Sequence, residues 1–197
     1  MPRRTDHDAR RAEVADAAIK VITREGLDRT SLQAIARELG ETTGVLTYYF
    51  ANKDELLLFA LSHAMGDLVS QAARAARGRR GLARLEASLL SSMPTSPKRR
   101  RAWQIWLAFL GQSVAHPKLI KAQRDRYATV RQVVESELAA LQGEGLLPAS
   151  LDRSETAEGI LALLDGIGIG AAIRPADFRP DRQRKLIKDY VRKLARP

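Results

Sequence analysis

A short run of polar and aromatic side chains around residue 45 is the part of this sequence best suited to bind phosphates and base edges. Its hydroxyl groups belong to Thr42, Thr43, Thr47 and Tyr48, with Gly44 and Val45 between them. Hydroxyl groups bond to phosphate oxygens and bases, a valine side chain can meet a thymine methyl group, and a glycine lets the backbone approach closely. Lys53 follows at a predicted helix start, where its charge and the free backbone N–H groups suit a phosphate. This pattern indicates contact with nucleic acid.

Two predicted helices precede the run and give it a surface to pack on. The first ends at Glu25–Gly26 and has an apolar face that includes Val14, Ala18, Ile19 and Ile22. The second begins after Thr30 and Ser31, which are good N-cap residues, and ends at Gly40. Its apolar residues recur at helical spacing, at Leu32, Ile35, Ala36 and Leu39.

The run itself predicts a third helix of about two turns that opens at Thr42–Thr43. A helix this short is marginal in water, so we expect Leu46 and Phe50 to pack on the first two helices. Asn52 then caps a longer helix. The spacing is typical of a helix-turn-helix, which lays one helix into the DNA major groove. It also fits an ordinary helical hairpin in which the hydroxyl groups act only as caps.

A long pattern from Gly26 to Leu57 reads G-x-x-x-T-S-x-x-x-I-A-x-x-x-G-x-x-x-G-x-L-x-x-Y-F-x-x-K-x-E-L-L. It resembles the DNA-binding domain of the TetR family of bacterial regulators, which are all-helical homodimers that repress transcription until a small effector binds the C-terminal domain. One departure is Thr47, which stands where many members carry an aromatic residue. We therefore expect Tyr48 and Tyr49 to supply more of the aromatic contacts to phosphates or bases. The resemblance implies phosphate or base contacts from Ser31, Gln33, Thr42, Thr43, Gly44, Val45, Thr47, Tyr48, Tyr49 and Lys53.

The net charge of +10 invites a nucleic-acid argument but does not locate the binding site. Residues 1–50 hold eight Lys or Arg and eight Asp or Glu, and the excess lies at 74–84, 98–101 and 179–196. The pairs Arg3–Arg4 and Arg10–Arg11 are better placed, because a flexible basic arm can reach a groove or the backbone. A solvated tail is the alternative for the first pair.

Composition favours a cytoplasmic protein without a membrane segment. The chain has no cysteine, so it has no disulfide and no thiolate metal site. We find no signal peptide and no continuous apolar run near the length of a membrane span. The length of 197 residues suits one small DNA-binding domain and one larger domain.

Helical periodicity continues from residue 53 to the end of the chain, with no strand signal. The sequence therefore predicts an all-α, TetR-like fold of about nine helices. Residues 1–52 form the predicted helix-turn-helix DNA-binding domain, and residues 53–197 form the predicted effector-binding and dimerisation domain. The later helices are predicted at 53–76, 81–92, 98–115, 118–142, 154–173 and 180–194.

An aromatic cluster in the predicted helix 98–115 is the candidate effector site. Aromatic walls suit small-molecule pockets and cationic ligands, although a simple core role is the alternative. The cluster comprises Trp103, Trp106, Phe109 and Leu110, and its expected companions on other helices are Met65, Leu89, Met93 and Tyr127.

The apolar segment Ile160–Ile173 carries small residues, Gly166 and Gly170, that would let another helix approach closely. In TetR-like proteins the last two helices pair with their copies, which implies a homodimer through these helices. Asp165 stands alone in this run, and a buried acid needs a partner. It could pair with an Arg across the interface, accept a backbone N–H bond or neutralise a cationic effector.

The region from Trp103 to the end resembles, more loosely, the BetI-like branch of the family, which includes regulators of choline and betaine metabolism. This implies a cationic or small polar effector. The three histidines, His7, His63 and His116, form no metal-ligand or Ser/His/Asp pattern, so we expect neither an enzyme nor a cofactor. The predicted function is a DNA-binding transcriptional regulator, a repressor released from a palindromic operator by a small molecule. An effector-independent or activating regulator is the alternative.

Overall fold

The computed structural model describes residues 4–66, 68–113 and 117–195, and every regular element in these ranges is an α-helix. This confirms the all-α prediction. The helices are α1 (Arg4–Glu25), α2 (Leu32–Leu39), α3 (Thr43–Tyr49), α4 (Lys53–Met65), α5 (Leu68–Ala76), α6 (Gly81–Ser91), α7 (Pro97–Ser113), α8 (Pro117–Gly143), α9 (Arg153–Ile173) and α10 (Pro180–Leu194). The described ranges contain one helix more than the nine foreseen, because the helix predicted over 53–76 is divided into α4 and α5. Gly66 ends α4 with a φ of 65°, a conformation that a helix cannot continue.

Local capping chemistry defines the helices near the N-terminus, as the sequence predicted. The Ser31 Oγ accepts the Ala34 N–H at 3.1 Å, and Gly40 ends α2 in the left-handed conformation with a φ of 76°. The Asn52 Oδ1 accepts the Glu55 N–H at 2.9 Å, which caps α4. These bonds satisfy backbone groups that a helix terminus leaves open.

The chain forms two compact units. Unit 1 comprises residues 1–66 and 104–122, and unit 2 comprises residues 67–103 and 123–197. Helices α7 and α8 each contribute residues to both units. The predicted division into 1–52 and 53–197 is a functional one, and it stays a prediction.

The core of unit 1 holds α3 in place. Helix α1 packs against α2, α3 and α4, and Leu46 and Phe50 are buried as expected for the side chains that anchor α3. Burial on one face fixes which residues of so short a helix point outward.

Arg11 packs within unit 1 against two aromatic rings and is not part of a flexible basic arm. The prediction that Arg11 belongs to such an arm was wrong. The Arg11 guanidinium carbon lies 4.5 Å from the Phe50 ring centroid and 4.6 Å from that of Phe59, and its Nη2 donates to the Glu55 Oε1 at 3.0 Å. Arg10 is likewise held, by ion pairs with Glu13 and Glu41. The predicted contributions of Arg3 and Arg4 concern side chains that lie outside the described residues.

The core of unit 2 is built around Trp103. Its Nε1 donates to the Ser92 carbonyl at 2.7 Å, and its ring lies directly against Gly168. A Cβ atom at Gly168 would lie 2.0 Å from the ring. Any side chain at Gly168 therefore requires the Trp103 ring to shift, a constraint that the sequence pattern did not show.

The two glycines that the sequence singled out in α9 differ from each other. An added Cβ at Gly170 would lie 2.6 Å from the Phe178 ring, so a side chain of the same chain fills the space that we had assigned to another helix. Gly166 is exposed, and an added Cβ would meet nothing within 4 Å. Of these two glycines, only Gly166 therefore leaves space for another helix to pack closely.

Helix α9 is long and apolar enough to cross a membrane by length and composition alone, and so is the stretch 53–76 that includes α4 and α5. Core helices of globular proteins meet the same criterion. In α9 the apolar character comes from a buried face that includes Leu161, Leu164 and Ile167.

Candidate DNA interface and candidate effector cavity

Helix α3 presents an uncharged, hydrogen-bonding face to solvent. Tyr48 is 72% exposed, whereas Leu46 on the opposite side is fully buried. Of the ten residues predicted to contact DNA, five are exposed and five are partly buried. The exposed ones are Gln33, Thr42, Gly44, Thr47 and Tyr48, and the partly buried ones are Ser31, Thr43, Val45, Tyr49 and Lys53.

The hydroxyl groups on this face have different local roles. Thr42 is the N-cap of α3, but its side chain makes no capping hydrogen bond. The Thr47 Oγ1 donates to the Gly44 carbonyl at 3.1 Å, and the Ser31 Oγ is the α2 cap. The alternative in which these hydroxyl groups act only as helix caps therefore holds for Ser31 and does not hold for Thr42.

A small aromatic stack supports the exposed end of α3. The Tyr48 and Tyr49 rings meet edge to face, with centroids 4.9 Å apart, and the His7 ring of α1 lies 5.0 Å from that of Tyr49. His7 was not among the predicted site residues. Nothing in the local sequence places it beside α3, because residues so far apart in the chain meet only through tertiary packing.

Unit 2 contains a small cavity of about 40 Å³ between α5, α6, α8 and α9, which we call the effector cavity. Two of its serines are almost completely buried, Ser88 at 7% exposure and Ser91 at 5%. The cavity is lined by Ala72, Ser88, Leu89, Ser91, Ser92, Thr129, Val130, Val133, Val134 and Leu164.

The residues predicted to bind an effector are divided between the two units. Of the nine, Leu89 is the one that lines the effector cavity in the part of the chain described here. Met93, Trp103, Tyr127 and Asp165 also belong to unit 2, whereas Met65, Trp106, Phe109 and Leu110 belong to unit 1. Trp106 and Phe109 are buried.

Sequence reasoning missed the other residues that line the effector cavity. A usable signal was present in α6, where Ser88 and Ser91 interrupt the face that carries Leu85 and Leu89. Small hydroxyl-bearing residues on a buried apolar face mark a place where the core is neither filled nor fully apolar.

Asp165 has a partner within its own unit. The Tyr127 hydroxyl donates to its Oδ2, and Arg126 also acts on it electrostatically. Burial raises the pKa of Asp165 above its usual value, while Tyr127 and Arg126 oppose that rise. Burial and the bond to Asp165 raise the pKa of Tyr127, and burial lowers the pKa of Arg126. Asp165 is thus part of a tyrosine–aspartate–arginine cluster, an arrangement that we had not foreseen.

Tyr127→Phe is expected to lower the free energy of unfolding by about 1–3 kcal/mol at pH 7, since a partly buried carboxylate loses its donor. The Tyr127 bond lowers the pKa of Asp165, so its stabilisation is present when the carboxylate is charged and is lost as the pH falls through that pKa. Urea unfolding at pH 7 and pH 4 checks this, with the exposed Tyr48→Phe as the control. An equal loss at both pH values would contradict the assigned role.

Comparison with known proteins gives matches over nearly the whole chain. The family model "Bacterial regulatory proteins, tetR family" matches residues 14–59, and the model "BetI-type transcriptional repressor, C-terminal" matches residues 81–196. The regulator BetI of Burkholderia thailandensis is 32% identical over 100% of this chain and 99% of its own length. The regulator PksA of Bacillus subtilis is 29% identical over 98% of this chain and 94% of its own length.

Solved structures show the same fold. A transcriptional regulator from Pseudomonas aeruginosa PAO1 superposes with a TM-score of 0.84 at 24% identity, covering 95% of this chain and 91% of its own. A regulator from Saccharomonospora viridis, solved in complex with choline, superposes with a TM-score of 0.81 at 25% identity, covering 94% of this chain and 96% of its own.

Proposed function

We propose, from the premise that this chain belongs to the TetR family of DNA-binding transcriptional regulators, that it is a repressor released from its operator by a small molecule. Proteins of this family bind DNA operators and dimerise.

The observation that carries the DNA-binding proposal is the polarity of α3. Its buried side anchors the helix through Leu46, and its opposite side exposes the Thr47 and Tyr48 hydroxyls. A helix-turn-helix places such a face in the major groove, with bonds to base edges and phosphates. Lys53, at the first turn of α4, adds the positive charge that α3 itself lacks. We therefore assign direct DNA contact to this face together with Lys53.

Helices α9 and α10 are the proposed dimer surface. Gly166 leaves room for a second helix, and Ile173 at the end of α9 is 72% exposed although it is a large apolar residue. A two-fold axis through such a surface buries the same patch on both copies. Dimeric helix-turn-helix proteins bind two half-sites about 34 Å apart, one turn of DNA, so a dimer of this chain suits a palindromic operator.

Release requires an effector that binds one arrangement of the dimer better than the other. The effector cavity is the proposed binding site. At about 40 Å³ it is far smaller than ligand pockets of about 300–1,000 Å³, so a ligand can enter only if the surrounding helices separate. Binding therefore favours a changed helix arrangement, and we propose that α4 carries the change to α3. The choline complex of the Saccharomonospora viridis regulator supports a small-molecule role for this type of domain.

Tyr48→Ala and Lys53→Ala are each expected to weaken operator binding by about 5- to 100-fold, since a base or phosphate contact contributes about 1–3 kcal/mol. Lys53→Ala should also reduce the slope of log affinity against log salt by about 1. Fluorescence anisotropy with an operator found by binding-site selection measures both effects, and sedimentation shows whether the dimer persists.

Lys98→Ala is the matched control, because Lys98 is an exposed lysine of unit 2 outside the assigned face. Its operator affinity should stay close to that of the wild type. If the Tyr48 and Lys53 variants also bind like the wild type, the assigned DNA face is wrong.

A further inference from the structure

None of the described residues that line the effector cavity has a charged side chain. Its lining consists of aliphatic groups and the hydroxyl groups of serine and threonine. A cation or an anion placed there would give up part of its hydration without gaining an opposite charge from these residues, which costs free energy. The cavity is therefore suited to a neutral molecule.

Two of these hydroxyl groups are available for a ligand. Ser92 donates to the Leu89 carbonyl and Thr129 donates to the Asp125 carbonyl, each at 2.9 Å. Ser88 and Ser91 are more than nine-tenths buried, and neither side chain has a hydrogen-bond partner among the described residues. Each of these hydroxyl groups can donate one hydrogen bond to a ligand and accept others from it.

Aromatic rings and carboxylates normally bind a quaternary ammonium ion, and in unit 2 the Trp103 ring and the Asp165 carboxylate already have partners. The lining residues that the structure describes include no aromatic ring. The Trp103 ring lies against Gly168, and its N–H donates to the backbone carbonyl of Ser92. The Asp165 carboxylate already accepts the Tyr127 hydroxyl beside the Arg126 charge. The described part of the cavity wall therefore supplies neither the aromatic rings nor the acid that usually bind such a cation.

We infer that the effector of this protein is a neutral, largely apolar molecule with one hydrogen-bonding oxygen, such as an alcohol or a ketone, that meets Ser88 and Ser91. The inference rests on the proposed function and names the ligand class of its cavity. Aliphatic walls from Leu89, Val133 and Val134 take the apolar part of the molecule. This chemistry differs from the cationic effector that the family resemblance had suggested.

Three probes with the same six-carbon tail test the ligand class: 1-hexanol, hexyltrimethylammonium and hexanoate, with choline as a further cation. Saturation-transfer NMR with the full-length protein and no DNA measures their binding. We expect 1-hexanol to bind at least tenfold more tightly than either charged probe and than choline. Tighter or equal binding of hexyltrimethylammonium or choline overturns the inference, and so does the absence of binding by 1-hexanol.

The double variant Ser88→Ala/Ser91→Ala locates the site. Its 1-hexanol affinity should fall about tenfold, the loss expected when two hydrogen bonds of ordinary strength are removed. Ser92→Ala is the matched control, because that hydroxyl already bonds to a carbonyl. An unchanged affinity in the double variant places the ligand elsewhere and overturns the assignment.

Operator release, measured separately by anisotropy, decides the proposed function. If 1-hexanol binds through Ser88 and Ser91 but leaves the operator complex intact, the proposal of release by an effector is contradicted. The proposal of a neutral ligand for the cavity is then still supported. If a cation releases the operator and 1-hexanol does not bind, the proposal of release by an effector is supported and the proposal of a neutral ligand is contradicted.

Discussion

Gly168→Ala is expected to lower the free energy of unfolding by about 2–3 kcal/mol, because overpacking of a filled core is costly. The new methyl carbon would lie 2.0 Å from two atoms of the Trp103 ring, a separation that real Cβ contacts do not reach. The ring cannot turn aside freely, since it is buried and its N–H bonds to the Ser92 carbonyl. Alanine in a helix gains about 1 kcal/mol over glycine, so the net loss is smaller than the clash alone.

Urea unfolding of the purified variant measures this loss. Gly111→Ala is the matched control, because Gly111 is exposed in α7 and an added Cβ would meet nothing within 4 Å. That variant should be as stable as the wild type or slightly more stable. In the pair Gly168→Ala/Trp103→Leu, the smaller side chain should relieve the clash and give a non-additive result. A Gly168 variant that is as stable as the Gly111 variant would show that the Trp103 ring moves without cost.

Arg11→Met is expected to lower the free energy of unfolding by about 1–3 kcal/mol, the sum of a half-buried cation–π contact and a partly exposed ion-paired hydrogen bond. Methionine keeps much of the apolar stem but loses the guanidinium group that lies between the Phe50 and Phe59 rings. The Glu55 carboxylate loses the Arg11 hydrogen bond, although Glu55 also caps the Ala51 N–H. The result should be a loosened attachment of α1 to the residues that follow α3.

Arg10→Met is the comparison that separates the Arg11 contacts from ordinary surface charge. Arg10 is the neighbouring arginine and pairs with Glu13 and Glu41 at the surface, where ion pairs contribute little. We expect little change in the unfolding midpoint of this variant, and a clear fall for Arg11→Met, by thermal or urea denaturation. Equal losses in the two variants would mean that the aromatic rings add nothing to the interaction.

Local chemistry allowed the sequence to predict the region that positions the DNA face. Cap residues such as Ser31 and Asn52, the turn at Gly40 and the burial of Leu46 depend on neighbours a few positions away, and all four are confirmed. The pattern of such residues also carried the family resemblance, which the comparisons confirm.

The features that the sequence did not predict depend on distant parts of the chain. Arg11 reads as a surface charge until Phe50 and Phe59 are brought to it by the fold. Gly170 reads as an open position until Phe178 fills it from beyond the end of α9. The effector cavity combines residues of four helices, so no single periodic pattern contains it. The DNA and effector contacts themselves stay predictions.

The two tryptophans of the chain are buried, and one belongs to each compact unit, Trp103 to unit 2 and Trp106 to unit 1. The fluorescence of each tryptophan therefore reports on the environment within its own unit. Replacing one tryptophan by phenylalanine leaves intrinsic fluorescence from the other unit alone, and the emission of a buried indole shifts to the red when water reaches it. Because the chain has no cysteine, a single engineered thiol would add a specific acceptor dye for energy transfer. With one single-tryptophan variant for each unit, a change in either unit on ligand addition can then be recorded separately as a shift in emission.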